Sequence, residues 1–207
     1  MKLNTNTWNK LRYTLYTPGY DRIAGYFKEN RKKSIASLNV STGDTVLIIG
    51  AGTGLDLEFL PNDCEIVATD ITPSMIEKLK KRNQKLNRQV NAIVMDGQAL
   101  KFADNTFDKI ILHLILAVIP NPIACIQEAE RVLKPGGQVV VYDKFVRKNC
   151  KVSFLRRFAN IFTNFLFSDI TRDFESIIKN TNFTIVSDID ADFNGNFRMI
   201  QLIKTSL

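Results

Sequence analysis

Five short apolar runs, rich in β-branched residues, punctuate the middle of the chain: TVLIIG (45–50), EIVATD (65–70), NAIVMD (91–96), FDKIILHL (107–114) and GQVVVYD (137–143). Runs of this kind suit strands covered on both faces. Between them, TPSMIEKLKKRNQKLN carries apolar residues at helical spacing, with Thr72 at the N-cap position and Pro73 in the first turn. NPIACIQEAERVLKPGG does the same behind Asn121 and Pro122, with Gly136 past its end. Strands alternating with helices predict an α/β fold, a Rossmann-like doubly wound parallel sheet. Two last runs, FTIVSDIDADF and FRMIQLIKTSL, joined by NGN, predict an antiparallel terminal hairpin and bring the count to seven strands.

A chain of 207 residues, 45% hydrophobic, can bury one substantial core, so a single domain over 1–207 is expected. Cys64, Cys125 and Cys150 lie far apart, a usage that fits a reducing compartment and neither a disulfide framework nor a zinc site. The first residues, MKLNTNTWNK, have no apolar core of a signal peptide, and the longest apolar run, IILHLILAVI, is too short to span a bilayer. A cytoplasmic protein is expected. Its charge of +7 is unevenly placed: residues 1–40 hold eight basic and two acidic side chains, residues 144–157 six basic and no acidic ones. The remainder is net acidic, so two cationic segments stand out and an anionic partner is expected.

The loop LIIGAGTGLDL raises the question of what approaches its backbone. Gly50 permits a tight turn from strand to helix, and Gly52 and Gly54 keep side chains away from a ligand. A dinucleotide fingerprint would place its third glycine at position 55, which is Leu55, and the Gly-Lys-Ser/Thr of a phosphate loop is missing. Asp70, 20 residues after Gly50 at the end of the second strand, can accept both hydroxyls of a ribose, or serve the dipole of the helix near Pro73. Asp96, before Gly97 at the end of the third strand, can accept from an adenine amino group, or cap a turn.

In LIIGAGTG, ATDITPSMI, VMDGQAL, FDKIILHLILAVIPNP and RVLKPGGQVVVYD, in that order, the chain resembles the class I S-adenosylmethionine-dependent methyltransferases. The resemblance implies that S-adenosyl-L-methionine is the cofactor. Gly50, Ala51, Gly52 and Gly54 would approach its methionine portion, Asp70 and Ile71 its ribose, Asp96 and Gly97 its adenine. A narrower resemblance, in YDRIAGYFKENRKKSIASL, GAGTGLDLEFLP, LHLILAVIPNP, YDKF and LFSDITRDFESII, is to the soluble bacterial phosphatidylethanolamine N-methyltransferases. It implies a phospholipid methyl acceptor, a peripheral position at the inner membrane surface, and an N-terminal helical lid, here residues 1–40.

Residues 144–167 read as a helical insertion between the fifth strand and a helix starting near Ser168. Phe154, Leu155, Phe158, Ile161, Phe162 and Phe165 recur on one helical face, with Arg156, Arg157, Asn160 and Asn164 on another. Such a helix suits an anionic membrane surface, or packs its phenylalanines on the core. Trp8, Leu11 and Leu15 beside Lys2, Lys10 and Arg12 make a second candidate anchor. Of Tyr13, Tyr16, Tyr20 and Tyr26, Tyr20 is taken to face the site. His113 and Asp143, ending the fourth and fifth strands, are candidates to orient or deprotonate an acceptor amine; a lone strand histidine also fits a packed core role. No metal is expected. The alternative acceptor is a small soluble metabolite: a quinone, thiol or amine. RNA or DNA is disfavoured, because HLILAVIP and NPI lack the Asn/Asp-Pro-Pro-aromatic motif of base amino methylation.

Overall fold

The computed structural model describes residues 4–147, 152, 154–166, 168–192 and 196–205. Three helices come first: α1 (Asn6–Tyr16), α2 (Tyr20–Ala24) and α3 (Lys28–Ser37). Then follow β1 (Thr45–Ile49), β2 (Glu65–Asp70), α4 (Pro73–Lys85), β3 (Val90–Val94), β4 (Phe107–His113), α5 (Pro122–Val132) and β5 (Leu133–Lys144). The chain closes with α6 (Phe154–Leu166), α7 (Phe174–Ile178), β6 (Phe183–Asp190) and β7 (Phe197–Lys204).

The seven strands form one sheet in the order β3-β2-β1-β4-β5-β7-β6. The first five are parallel, and β7 enters antiparallel between β5 and β6. The expected architecture is therefore present, and the topological switch falls between β1 and β4.

Side chains alternate strictly across the sheet and feed two cores, as a period of two requires. Leu47, Ile49, Ile110, Leu112, Val139 and Val141 pack on one face with Ile126 and Ala129 of α5 and Phe174 of α7. Val46, Ile48, Ile111 and Val140 face the other way, against Ile35 of α3, Leu38 at its C-cap and Leu79 of α4. This two-sided burial explains why the central strands read as unbroken apolar runs. Asn121 caps α5 by accepting from the Ala124 N–H at 3.1 Å. Thr72 occupies the cap position of α4, but its own side chain makes no capping bond.

Three local expectations change. The glycine loop leads into a short 3-10 turn, Leu55–Phe59, rather than an α-helix. No loop separates α5 from β5: the chain passes straight from Val132 to Leu133, and Gly136 (φ +74°) lies inside the strand. The helix expected near Ser168 starts at Phe174, because Asp173 supplies the cap, accepting from the Ser176 N–H at 3.0 Å. The Asn194-Gly195 turn of the hairpin lies outside the described residues, as do Lys148 and Lys151 of the cationic insertion.

The insertion does form a helix, α6. Phe154, Phe158 and Phe162, one turn apart, are 85%, 58% and 61% exposed, so these three are not core residues. Phe158 and Phe162 meet edge to face at 6.1 Å. The side chains of Leu155, Arg156, Ile161 and Phe165 lie outside the described part of that helix. Arg12 of α1 joins the two segments, its Nη1 donating to the Asn164 carbonyl at 3.1 Å.

Candidate active site

A cleft opens beyond the carboxyl ends of β1, β2 and β3, with Gly50, Gly52, Asp70, Ile71, Asp96 and Gly97 on its walls. The glycines serve different ends. Gly52 (φ +55°) has only Tyr20 opposite: a Cβ there would stand 3.6 Å from Tyr20 Cε1, between loop and ring. At Gly50 (φ +71°) a Cβ would meet Ile115 at 2.6 Å, and at Gly97 it would meet Ile49 at 2.6 Å. At Gly54 (φ +80°) it would strike Leu79 Cγ at 2.9 Å, so Gly54 is held by packing beneath the loop. Ala51 is buried in the core behind the loop. Neither Ala51 nor Gly54 lines the cleft.

Asp70 fastens the loop. Its Oδ2 accepts from the Gly52 N–H at 2.9 Å and its Oδ1 from the Thr72 N–H at 2.8 Å. Each oxygen keeps a further lone pair for a hydroxyl donor. The helix-start role and the ligand role are thus compatible. Burial pushes its carboxyl above the usual range, opposed by those two N–H groups. Asp96 makes the turn foreseen for it, accepting from the Gln98 N–H at 3.0 Å, and its Oδ2 also accepts from Asn6 Nδ2 at 2.6 Å. Asn9, near Asn6 on α1, is 3% exposed and lines the same cleft; its Oδ1 is a buried hydrogen-bond acceptor with no partner. No motif announces Asn6 or Asn9; only their spacing on one face of an N-terminal helix hints at a shared surface.

A second cavity of about 440 Å³ adjoins the first, and Tyr13, Tyr20, Leu114 and Val118 line both. Its walls are largely apolar, with Leu15 and Phe27 among them, and Asp143, Lys144 and Ser168 supply the polar groups. Tyr20 therefore stands at the junction of the two spaces. Burial raises the pKa of both Tyr13 and Tyr20, so both phenols stay protonated at neutral pH. Asp143 is buried; its Oδ2 accepts from Ala117 N–H and its Oδ1 from Lys144 N–H, each at 2.8 Å. Burial raises its carboxyl too. Leu114, just past β4, holds φ +57°, a conformation rare outside glycine and asparagine. That strain sits where the two spaces meet, and no residue type in HLILAVIP signals it.

His113 goes elsewhere. Its side chain is fully buried, with Nδ1 2.9 Å from Asp56 Oδ1 and Nε2 3.0 Å from Ser34 Oγ, and it lines neither space. Asp56 is in turn held by Arg31, whose Nη1 donates at 2.8 Å. The residue alternation of β4 explains this: His113 points to the α3 side of the sheet, Leu112 to the α5 side. The packed core reading of the lone histidine matches this placement.

Residues 47–141 match a methyltransferase domain family. A phosphatidylethanolamine N-methyltransferase from Cereibacter sphaeroides is 26% identical over 71% of this chain and 71% of its own length. A thiol S-methyltransferase from Rattus norvegicus is 33% identical over 48% of this chain, but that match spans only 42% of the relative. These matches support a class I S-adenosylmethionine-dependent methyltransferase. Among solved structures, the [4+2]-cyclase SpnF superposes with a TM-score of 0.81 over 99% of this chain and 97% of its own, at 15% identity. That likeness is one of fold, and the fold alone does not name the reaction.

The cofactor of this methyltransferase is S-adenosylmethionine, and the cleft fits it chemically. Gly52 leaves a space that a Cβ would fill, Asp70 offers two acceptor oxygens, and the unpartnered Asn9 Oδ1 awaits a donor. The neighbouring cavity is of a size to take a small-molecule or lipid headgroup acceptor. Among the described residues, no helix of the methyltransferase is long and apolar enough to cross a membrane.

Proposed function

We propose that this methyltransferase transfers a methyl group to the amine of phosphatidylethanolamine at a membrane surface, toward phosphatidylcholine. The observation that carries this reading is the second cavity. It is largely apolar with a few polar groups, adjoins the cofactor cleft at Tyr20, and reaches the surface at Leu15, which is 69% exposed. Leu11 and Leu15 on α1, and Phe154, Phe158 and Phe162 on α6, turn apolar side chains to solvent, and Arg12 ties the two helices together. A lipid in the bilayer can raise its headgroup into such a space while its chains stay in the membrane. The similarity to the Cereibacter sphaeroides enzyme points the same way.

Bound S-adenosylmethionine supplies a methyl already activated by its sulfonium sulfur, so positioning provides most of the acceleration. In this reading Asp70 and Asp96 hold ribose and adenine. Tyr13 and Tyr20, both protonated, close the passage between the two spaces and exclude water. Asp143 attracts the ammonium and, with its pKa raised by burial, accepts the proton the amine must lose. His113 is assigned no part in the transfer.

The similarity to a thiol S-methyltransferase supports a second reading, a small soluble acceptor. Incubation with methyl-labelled cofactor and total bacterial lipid, or with soluble thiols and amines, separates the two. Label in an extractable phospholipid supports the first; label confined to the aqueous fraction transfers the assignment to the second.

A further inference from the structure

Among the described residues that line the acceptor cavity, one is a cation, Lys144. Lys144 is half-buried on the cavity wall, its Nζ donating to Ser168 Oγ at 2.7 Å. Ser168 is itself 2% exposed, and it too lines the cavity. Among the described residues no carboxylate lies within ion-pair distance of Lys144. Its other neighbour is the face of the Phe197 ring, 5.5 Å from Nζ, which stabilises a cation without neutralising it. By contrast, buried Arg31 is matched by Asp56, and buried Arg198 by Glu175 and Asp188.

A partly desolvated ammonium without a counter-ion is costly, and the cost is recovered when an anion enters. We propose that Lys144 and Ser168 form an anion subsite of the acceptor cavity, which takes the phosphate of a phosphate-bearing amine. The ammonium holds one charge as a point donor, and the serine hydroxyl adds a second hydrogen bond. Asp143, the adjacent residue on the same cavity wall, attracts the positive end of the same molecule. One carboxylate and one ammonium in one apolar cavity select a zwitterion whose two charges are a few bonds apart. A neutral thiol or quinone would offer neither charge an opposite charge, which disfavours it. Burial lowers the Lys144 pKa and Asp143 raises it, consistent with a cation held at a cost.

This inference rests on the N-methyltransferase reading but fails separately from it. Binding is measured calorimetrically on the full chain loaded with S-adenosylhomocysteine, with short-chain phosphatidylethanolamine, phosphoethanolamine and ethanolamine as ligands. The same titrations are made with Lys144→Met and Ser168→Ala; an unchanged S-adenosylhomocysteine affinity shows that each variant is folded. Loss of one charge-assisted bond predicts binding of a phosphate ligand about tenfold or more weaker in Lys144→Met, and a smaller loss in Ser168→Ala. Ethanolamine binding should not weaken in either. A loss seen with the lipid supports the subsite and the lipid source. A loss seen only with phosphoethanolamine supports the subsite and overturns the lipid reading. Equal affinity of wild type and Lys144→Met for both phosphate ligands overturns the subsite, whichever substrate is methylated.

Discussion

The three glycines of GAGTG are predicted to respond differently to the same substitution, and the contrast between Gly52 and Gly54 tests the cofactor cleft. Gly52→Ala places a methyl 3.6 Å from Tyr20, ordinary contact distance, so it creates no clash in the protein. Its cost is the positive φ, about 1–2 kcal/mol for a non-glycine residue. For a chain of this length, that lowers the melting temperature by about 2–8 °C. The methyl nevertheless fills the space between loop and ring that the proposed cofactor site uses. Gly54→Ala carries the same backbone cost and also drives a methyl to 2.9 Å from Leu79 Cγ, inside a packed core. Overpacking adds about 1–3 kcal/mol, for a total of about 2–5 kcal/mol. Thermal denaturation with and without S-adenosylhomocysteine reads both quantities. Gly52→Ala should melt close to wild type and lose the ligand-induced shift; Gly54→Ala should melt well below wild type and keep it. If Gly52→Ala retains the full shift, the loop is structural and the cleft has been misplaced.

If Asp70 binds the ribose as proposed, Asp70→Ala removes two hydrogen bonds to it, about 2–4 kcal/mol together, so S-adenosylhomocysteine should bind about 30- to 900-fold more weakly by calorimetry. It also deprives the Gly52 and Thr72 N–H groups of their acceptor, so a lower melting temperature should accompany the loss. Arg31→Met leaves the Asp56 carboxylate buried with His113 and Ser34 as the rest of its network, and should cost about 3–5 kcal/mol in urea unfolding. Burial alone would raise the Asp56 carboxyl, but Arg31 and then His113 outweigh it and hold it well below the usual range. Its folded pKa is therefore depressed, its contribution is complete above the unfolded value of about 4, and stability should fall as pH drops below that. In Arg31→Met this acid-dependent loss should be smaller. Replacing Phe158 and Phe162 together by serine should weaken sedimentation with anionic vesicles about tenfold or more, with S-adenosylhomocysteine affinity unchanged; undiminished sedimentation would remove α6 from the membrane reading.

The sheet was legible because both of its faces are covered. Burial on two sides leaves Val46 to Ile49 and Ile110 to Leu112 no polar positions, so the strands stand out as uninterrupted runs. Asp70 and Asp96 were legible because each ends such a run at the edge of the cleft. His113 also ends a run, yet it misled: a strand's end fixes where a residue lies but not to which face it points, and one residue's shift exchanges cleft for core. Gly54 is a similar case, since spacing cannot distinguish a glycine that admits a ligand from one that admits Leu79. Asn6 and Asn9 were missed because they reach the cleft through the packing of α1 across some ninety residues of chain, as in the Asn6–Asp96 bond, which no local pattern encodes.

The cationic segments need a different accounting once the chain is folded. Their surplus was read as a surface directed at an anionic partner, but two of the eight basic residues of the N-terminal segment, Arg12 and Arg31, are almost wholly buried. Arg31 neutralises Asp56, and Arg12 spans from α1 to the Asn164 carbonyl of α6, so both serve architecture. Lys28 is exposed but paired with Glu58 at 2.9 Å. Lys10, Arg22, Lys32 and Lys33 remain exposed on the N-terminal helices and their connections, with Arg147 and Arg157 on the insertion. Each lysine or arginine close to an anionic surface contributes about 1 kcal/mol, and only within a Debye length of roughly 8–10 Å. Because Lys32 and Lys33 belong to α3, packed by Ile35 and Leu38 against the sheet, they are fixed to the body of the protein. Membrane affinity in this reading therefore rests more on Leu11, Leu15 and the α6 phenylalanines than the charge count implied. Salt should weaken attachment without abolishing it. Lys144, one of the cations in that surplus, instead lines the acceptor cavity, where the proposed subsite sets a single charge against one phosphate rather than a bilayer.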